Sequence, residues 1–101
     1  MNYRFTPEAL REFEEAARYY AERQQGLELR FIESIHSTVQ RILCDPVRWR
    51  IFKGDIRRCL AHVFPYAVLY AIEPGGVIVI AVMHTHREPD YWRKRVRKDS
   101  R

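Results

Sequence analysis

The residue types best suited to chemistry crowd into one stretch near the C-terminus, HTHREPDYWRKR, from His84 to Arg95. Cleaving RNA through its own 2′-hydroxyl needs a base for that hydroxyl, an acid for the leaving oxygen, and cations for the phosphorane charge. Histidine titrates near neutral pH and can carry the proton in either role, while arginine forks onto phosphate oxygens. His84 and His86 are two residues apart and share a face if a strand runs through both; Arg58 and His62 alternate likewise on their own strand. The spacing therefore permits a catalytic group of Arg58, His84, His86 and Tyr91. A second chemistry fits the same stretch: Tyr91 and Trp92 can stack on bases while Arg93, Lys94, Arg95, Arg97 and Lys98 hold phosphates. Plainer roles compete with both. A histidine at a strand end is commonly a hydrogen-bonding surface residue, and Trp92 suits packing on a sheet, its basic neighbours turned to water. His84 and His86 with Asp90 lack a third metal ligand at a characteristic spacing. There is no Gly-rich phosphate loop, Ser-His-Asp order or acidic metal cluster, so no cofactor is expected.

The elements that must position these residues are legible from capping and periodicity. NYRF alternates as a short first strand, and Thr6-Pro7 reads as the N-cap and first residue of a helix, with Phe5 and Leu10 at the two positions of a hydrophobic staple. Leu10, Phe13, Ala17 and Tyr20 recur at helical spacing as a buried stripe, which assigns Arg11, Glu12, Glu15, Arg18 and Glu22 to water. Tyr19 falls partly off that stripe, where a partner could meet it. Gly26 breaks this helix, and Leu27, Phe31, Ile32, Ile35, Val39, Ile42 and Leu43 define a second, ended by Asp45-Pro46. So short a break makes the two an antiparallel hairpin. The period then changes to that of strands in DIRRCLAHVF and YAVLYAI, separated at Pro65; the EPGG turn leads to VIVIAVM, apolar on both faces and hence a central strand. Val47 to Phe52 can add an edge strand, and a terminal helix can follow Pro89. The expected fold is α+β: an N-terminal strand and a helical hairpin packed on a small antiparallel sheet, as one domain spanning 1–101.

The 101 residues suffice for one core, and with 47% hydrophobic and 31% charged residues the chain should fold. It has no apolar run near the roughly 18 residues of a membrane span, and its polar, acidic N-terminal segment is unlike a signal peptide, so a cytoplasmic location without membrane contact is expected. Cys44 and Cys59 lack a metal or redox spacing and read as free thiols acting as small core hydrophobes. Eighteen Lys and Arg against thirteen Asp and Glu give +5, unevenly placed. Tyr91 to Arg101 holds six bases and one acid, Glu8 to Glu15 four acids and one base. A basic C-terminal half suits a polyanion or an acidic protein partner, or serves solubility alone.

Several quoted segments together resemble the RelE and ParE superfamily of bacterial toxins: EALREFEEAARYYAER, the Asp45-Pro46 helix end, IRRCLAHVFPYAVLYAI, and VIVIAVMHTHREPDYWRKR. The resemblance covers nearly the whole chain, and its most specific parts are Phe64-Pro65-Tyr66 followed by Leu69-Tyr70, and the pattern His84, Arg87, Pro89, Tyr91, Trp92, Arg95. It implies a microbial-ribonuclease-like α+β sheet and a cognate antitoxin whose extended acidic segment wraps the hairpin and sheet edge. RelE-like members cut messenger RNA on the ribosome; ParE-like members inhibit DNA gyrase. Of the functional positions in RelE-like members, Arg58 keeps its charge and Tyr91 is retained, whereas Leu60, Ala67 and Thr85 stand where cations would be. Losing such cations typically costs several kcal/mol of barrier. The pattern is therefore closer to ParE-like members, with Arg87, Tyr91, Trp92, Arg93 and Arg95 as contacts to target or nucleic acid. The expected function is that of a growth-inhibiting toxin of a type II module, acting by protein contact on a replication or translation target such as DNA gyrase and neutralised by its antitoxin, alone as a homodimer or with its antitoxin as a hetero-oligomer. A ribosome-dependent endoribonuclease using Arg58, His84, His86 and Tyr91, or a non-toxic nucleic-acid-binding or interaction module, are the alternatives.

Overall fold

The computed structural model describes residues 1–87, 91, 92 and 95. Its elements run β1 (Asn2–Phe5), α1 (Pro7–Arg23), α2 (Leu27–Cys44), β2 (Arg50–Lys53), β3 (Ile56–Leu60), β4 (Tyr66–Glu73) and β5 (Gly76–His84). Thr6 caps α1 as its sequence requires: the Ala9 N–H donates to Thr6 Oγ1 at 3.1 Å, and Pro7 occupies the first turn, where no N–H is needed. Gly26, at φ 83°, makes the left-handed turn into α2. Among the described residues no helix is long and apolar enough to cross a membrane.

The five strands form one sheet in the order β1-β5-β4-β3-β2. Strands β2 to β5 are an antiparallel meander, but β1 pairs with β5 in parallel, so the sheet is mixed rather than wholly antiparallel. The reason is topological: after β1 the helices carry the chain to the far edge, and an even number of returning strands leaves the last one parallel to the first. The edge strand β2 is shorter and later than the Val47–Phe52 segment that suggested it. A terminal helix after Pro89 falls largely on residues outside those described.

VIVIAVM is buried on both faces, as its composition demands. One face, with Val68, Tyr70, Val77, Val79 and Val82, meets Phe31, Ile35 and Ile42 of α2 and Ala9 and Ala16 of α1. The opposite face gathers Ile56, Ala67, Leu69, Ile78, Ile80, Ala81 and Met83 around Trp92, with Phe52 and Tyr91 alongside. Strict alternation would not put both Ile80 and Ala81 on one face. A β-bulge between the Tyr70–Val79 and Leu69–Ala81 pairs leaves Ile80 as the extra residue and restores Val82 to the helix side.

Three burial expectations change. Phe5 stacks on Phe13, centroids 5.9 Å apart, and Leu10 stays 46% exposed, so no Phe5–Leu10 staple forms. The α1 stripe is centred on Ala9 and Ala16, because small residues let the helix approach β5 closely, with Phe13, Ala17 and Tyr20 packed at its margin. Cys44, at the last turn of α2, is exposed, whereas Cys59 is buried and free. Burial pushes the Cys59 thiol up, against the lowering influence of Arg41.

Candidate functional site

The end of β5 and the turn after it meet the N-terminal half of α1. His84 pairs with Tyr66 across the β4–β5 ladder, their rings edge-to-face at 5.1 Å. The strand stops there. The Thr85 N–H donates to Pro65 O at 2.9 Å and the Arg87 N–H to His84 O at 2.9 Å, folding the chain into a turn anchored on the β3–β4 connection. The His86 N–H donates to His84 Nδ1 at 3.1 Å, which places the proton of a neutral His84 on Nε2. The two imidazoles end 5.2 Å apart although His86 is no longer on a strand. The Arg87 guanidinium lies 4.2 Å from the centre of the Tyr91 ring, and that of Arg95 4.9 Å from it. Between this group and α1 lies an open cleft of about 460 Å³, with Glu8, Glu12 and Glu15 on the α1 side and His84, Arg87 and Tyr91 opposite. A second hollow continues it past Tyr19, Tyr66 and His86.

The wall of the cleft is built from an unusual treatment of the sheet edge. Strand β1 pairs with β5 only up to Phe5–Val79. Beyond the bulge, β5 has backbone groups that no strand satisfies, and buried unsatisfied groups would cost roughly 1–3 kcal/mol each. Side chains replace the strand. The Val82 N–H donates to Glu12 Oε1 at 3.1 Å, and Ile80 O accepts from Thr6 Oγ1 and from Arg95 Nη1, both at 3.3 Å. Glu12 and Arg95 close the arrangement as a fork, at 3.0 and 3.1 Å, with only 16% and 18% of their side chains exposed.

The structure thus brings His84, His86, Arg87, Tyr91 and Arg95 together. Arg58 is not with them: it lies opposite Leu69, on the sheet face away from the helices, its guanidinium 5.2 Å from the Phe52 ring. A group combining Arg58 with His84 is corrected on that ground, since Leu69 and Tyr66 of β4 face opposite sides. His62 lies in the turn after β3, not on the strand. Trp92 is 2% exposed and packs on Phe52, centroids 6.0 Å apart, so it anchors the segment instead of touching a ligand. Arg93 lies outside the described residues. Glu12, assigned to water from its periodicity, is central.

These surroundings restrict the acid–base chemistry. Burial first, and the approach of the hydroxyl to the Glu12 carboxylate second, push the Tyr91 hydroxyl far above the ordinary tyrosine range. Its proton is held, which suits a packed phenol and not a base near neutral pH. Arg95 is committed to Glu12, leaving Arg87 beside the two histidines as the cation facing the cleft from the turn. Tyr66 is also raised, by burial and then by Tyr20, Tyr19 and Glu12. Among the described residues, no three His, Cys, Asp or Glu side chains are placed to hold a metal ion.

A two-helix layer on a five-stranded mixed sheet, with an α1-facing cleft at the end of the last strand, defines a small α+β domain. A solved structure of the "Chromosomal ParDE TA system from P. aeruginosa" superimposes with a TM-score of 0.72 at 12% identity, covering 85% of this chain and 97% of that one. At that identity the likeness is one of fold. The family model for the ParE toxin of type II toxin-antitoxin system, parDE, matches residues 3–89, and the chain belongs to that family. No curated protein matches it in sequence.

Proposed function

We propose that the chain is the growth-arresting component of a toxin–antitoxin pair, that it acts by contact with a replication target, and that a cognate antitoxin neutralises it. The observation that carries this reading is the family match over residues 3–89. DNA gyrase is the target the resemblance to ParE-like members implies. Arg87, with Tyr91 stacked beneath it, forms the contact surface, and Arg95 supports it. Contact is favoured over catalysis because Tyr91 keeps its proton, Arg95 is paired, and Arg58 sits on the other face. An acidic antitoxin segment suits the net charge of +5 and the edge strand β2, where Arg50 and Arg58 border a hollow with Phe52.

A second reading, cleavage of ribosome-bound message, draws on the 5.2 Å pair of His84 and His86 beside Arg87. Induced expression of the chain in bacteria separates the possibilities. Growth arrest with loss of gyrase-dependent plasmid supercoiling and intact message is expected; arrest with cleaved ribosome-bound message would favour the second reading. Normal growth at high expression would leave only a non-toxic interaction module. Co-expression of a small acidic protein encoded beside it should restore growth.

A further inference from the structure

We infer that Glu12 is a positioning residue, holding Arg95 and through it the Arg87–Tyr91 contact surface in place. The inference rests on that surface being what a partner touches, and extends it to a residue on a different element. Glu12 does three things at once. Its Oε1 accepts the Val82 N–H that β1 is too short to reach, and the same oxygen accepts from Arg95 Nη1, while Oε2 accepts from Arg95 Nη2. Arg95 in turn donates to Ile80 O and lies beside the Tyr91 ring, whose other cationic neighbour is Arg87. From α1 to Arg87 there is thus an unbroken chain of charge-assisted and cation–π contacts, most of it out of water.

A carboxylate is required at the α1 end. An apolar side chain would leave the Val82 N–H and a largely buried guanidinium unsatisfied, and an amide could accept at only one oxygen while presenting N–H groups to Arg95. The sheet itself does not depend on this contact, since β5 is fully laddered to β4 on its other side. Losing Glu12 should therefore release the C-terminal segment before it unfolds the domain. Trp92 reports that release, because it is buried against Phe52 only while the segment is seated.

The test uses Glu12→Gln and Glu12→Ala in the full chain, with Val39→Ala as a control that destabilises α2 far from the cleft. With Trp49→Phe present in all proteins, emission comes from Trp92 alone. Circular dichroism establishes that each variant is folded. Both Glu12 variants should red-shift Trp92 emission and speed exchange of the Arg87 amide by about tenfold or more, alanine exceeding glutamine. Val39→Ala should lower the unfolding midpoint and leave both readouts unchanged. The inducer level needed for growth arrest should rise for the Glu12 variants and not for the control. Wild-type emission and exchange in folded Glu12→Ala would overturn the inference, as would equal changes in Val39→Ala. Released Trp92 with undiminished arrest would overturn the contact role of Arg87 and Tyr91, while leaving Glu12 as the holder of the segment.

Discussion

Two arginine–glutamate forks stand near opposite ends of β5, one spanning it from β1 to β4 and one on its outer edge. Arg4 of β1 reaches Glu73 at 3.0 and 3.1 Å, and Arg95 reaches Glu12 at 3.0 and 3.1 Å. Their distances are the same, although Arg4 engages through Nε and Nη2 and Arg95 through both Nη atoms, and their settings differ. The first pair is 60% and 31% exposed and lies where β1 already ladders with β5; the second is 18% and 16% exposed and lies where no strand reaches. Contact distance alone therefore says little about what an ion pair does. Where backbone has completed the edge, a fork is an addition to a finished structure. Where backbone has not, the fork is the edge, and it ties the adjoining segment to α1.

The sharpest way to break this contrast is Glu12→Ala. Removing one partner of a largely buried pair, together with the acceptor of the Val82 N–H, should cost roughly 2–4 kcal/mol, read from the urea midpoint. At the opposite end the vulnerable feature is the ladder, not the ions. A Cβ on Gly76 would run into the carbonyl of Asn2, so Gly76→Ala should push β1 away at a cost of about 1–3 kcal/mol, with loss of exchange protection at the Asn2–Phe5 strand. Buried phenols provide a comparison with pH. Burial chiefly holds the Tyr70 hydroxyl, which donates to Pro46 O, up to about 12, and Tyr66 and Tyr91 are raised for the same first cause. Between pH 10 and about 12 the unfolded chain has lost protons that the folded chain keeps. The phenols' contribution to stability should be level below pH 10 and fall as pH rises through that window, and Tyr70→Phe should remove part of the fall. The smallest effect belongs to the exposed fork: Arg4→Ala should change stability by less than about 1 kcal/mol, and salt should diminish even that.

Much of this fold can be read from the chain because its signals are local. Thr6-Pro7, Gly26 and Asp45-Pro46 mark helix ends through capping and backbone geometry, and the apolar run of β5 declares a strand covered on both faces. The parallel pairing of β1 and the bulge at Ile80 have no such local signature, since both follow from how distant segments meet. The candidate site was legible only in part. His84, His86, Arg87, Tyr91 and Arg95 share a stretch of sequence and do converge, whereas Arg58 was joined to them by alternation that carries no information about which face of the sheet is which. Glu12 was misassigned because it borders Phe13 on the stripe's margin, where periodicity cannot distinguish water from a buried cation. Charge asymmetry held the better signal: Glu12, one of four acids between Glu8 and Glu15, pairs with Arg95, one of six bases between Tyr91 and Arg101, so part of that excess is consumed within the molecule.

The most direct test of contact against catalysis is a variant that cannot shuttle protons yet keeps the turn. In His84→Asn with His86→Gln, the asparagine oxygen can still accept the N–H at position 86 as Nδ1 does now. Growth arrest on induction should be undiminished in this double variant, with Arg87, Tyr91 and Glu12 untouched. Loss of arrest in a folded double variant, together with disappearance of message cleavage seen with the parent chain, would contradict the account.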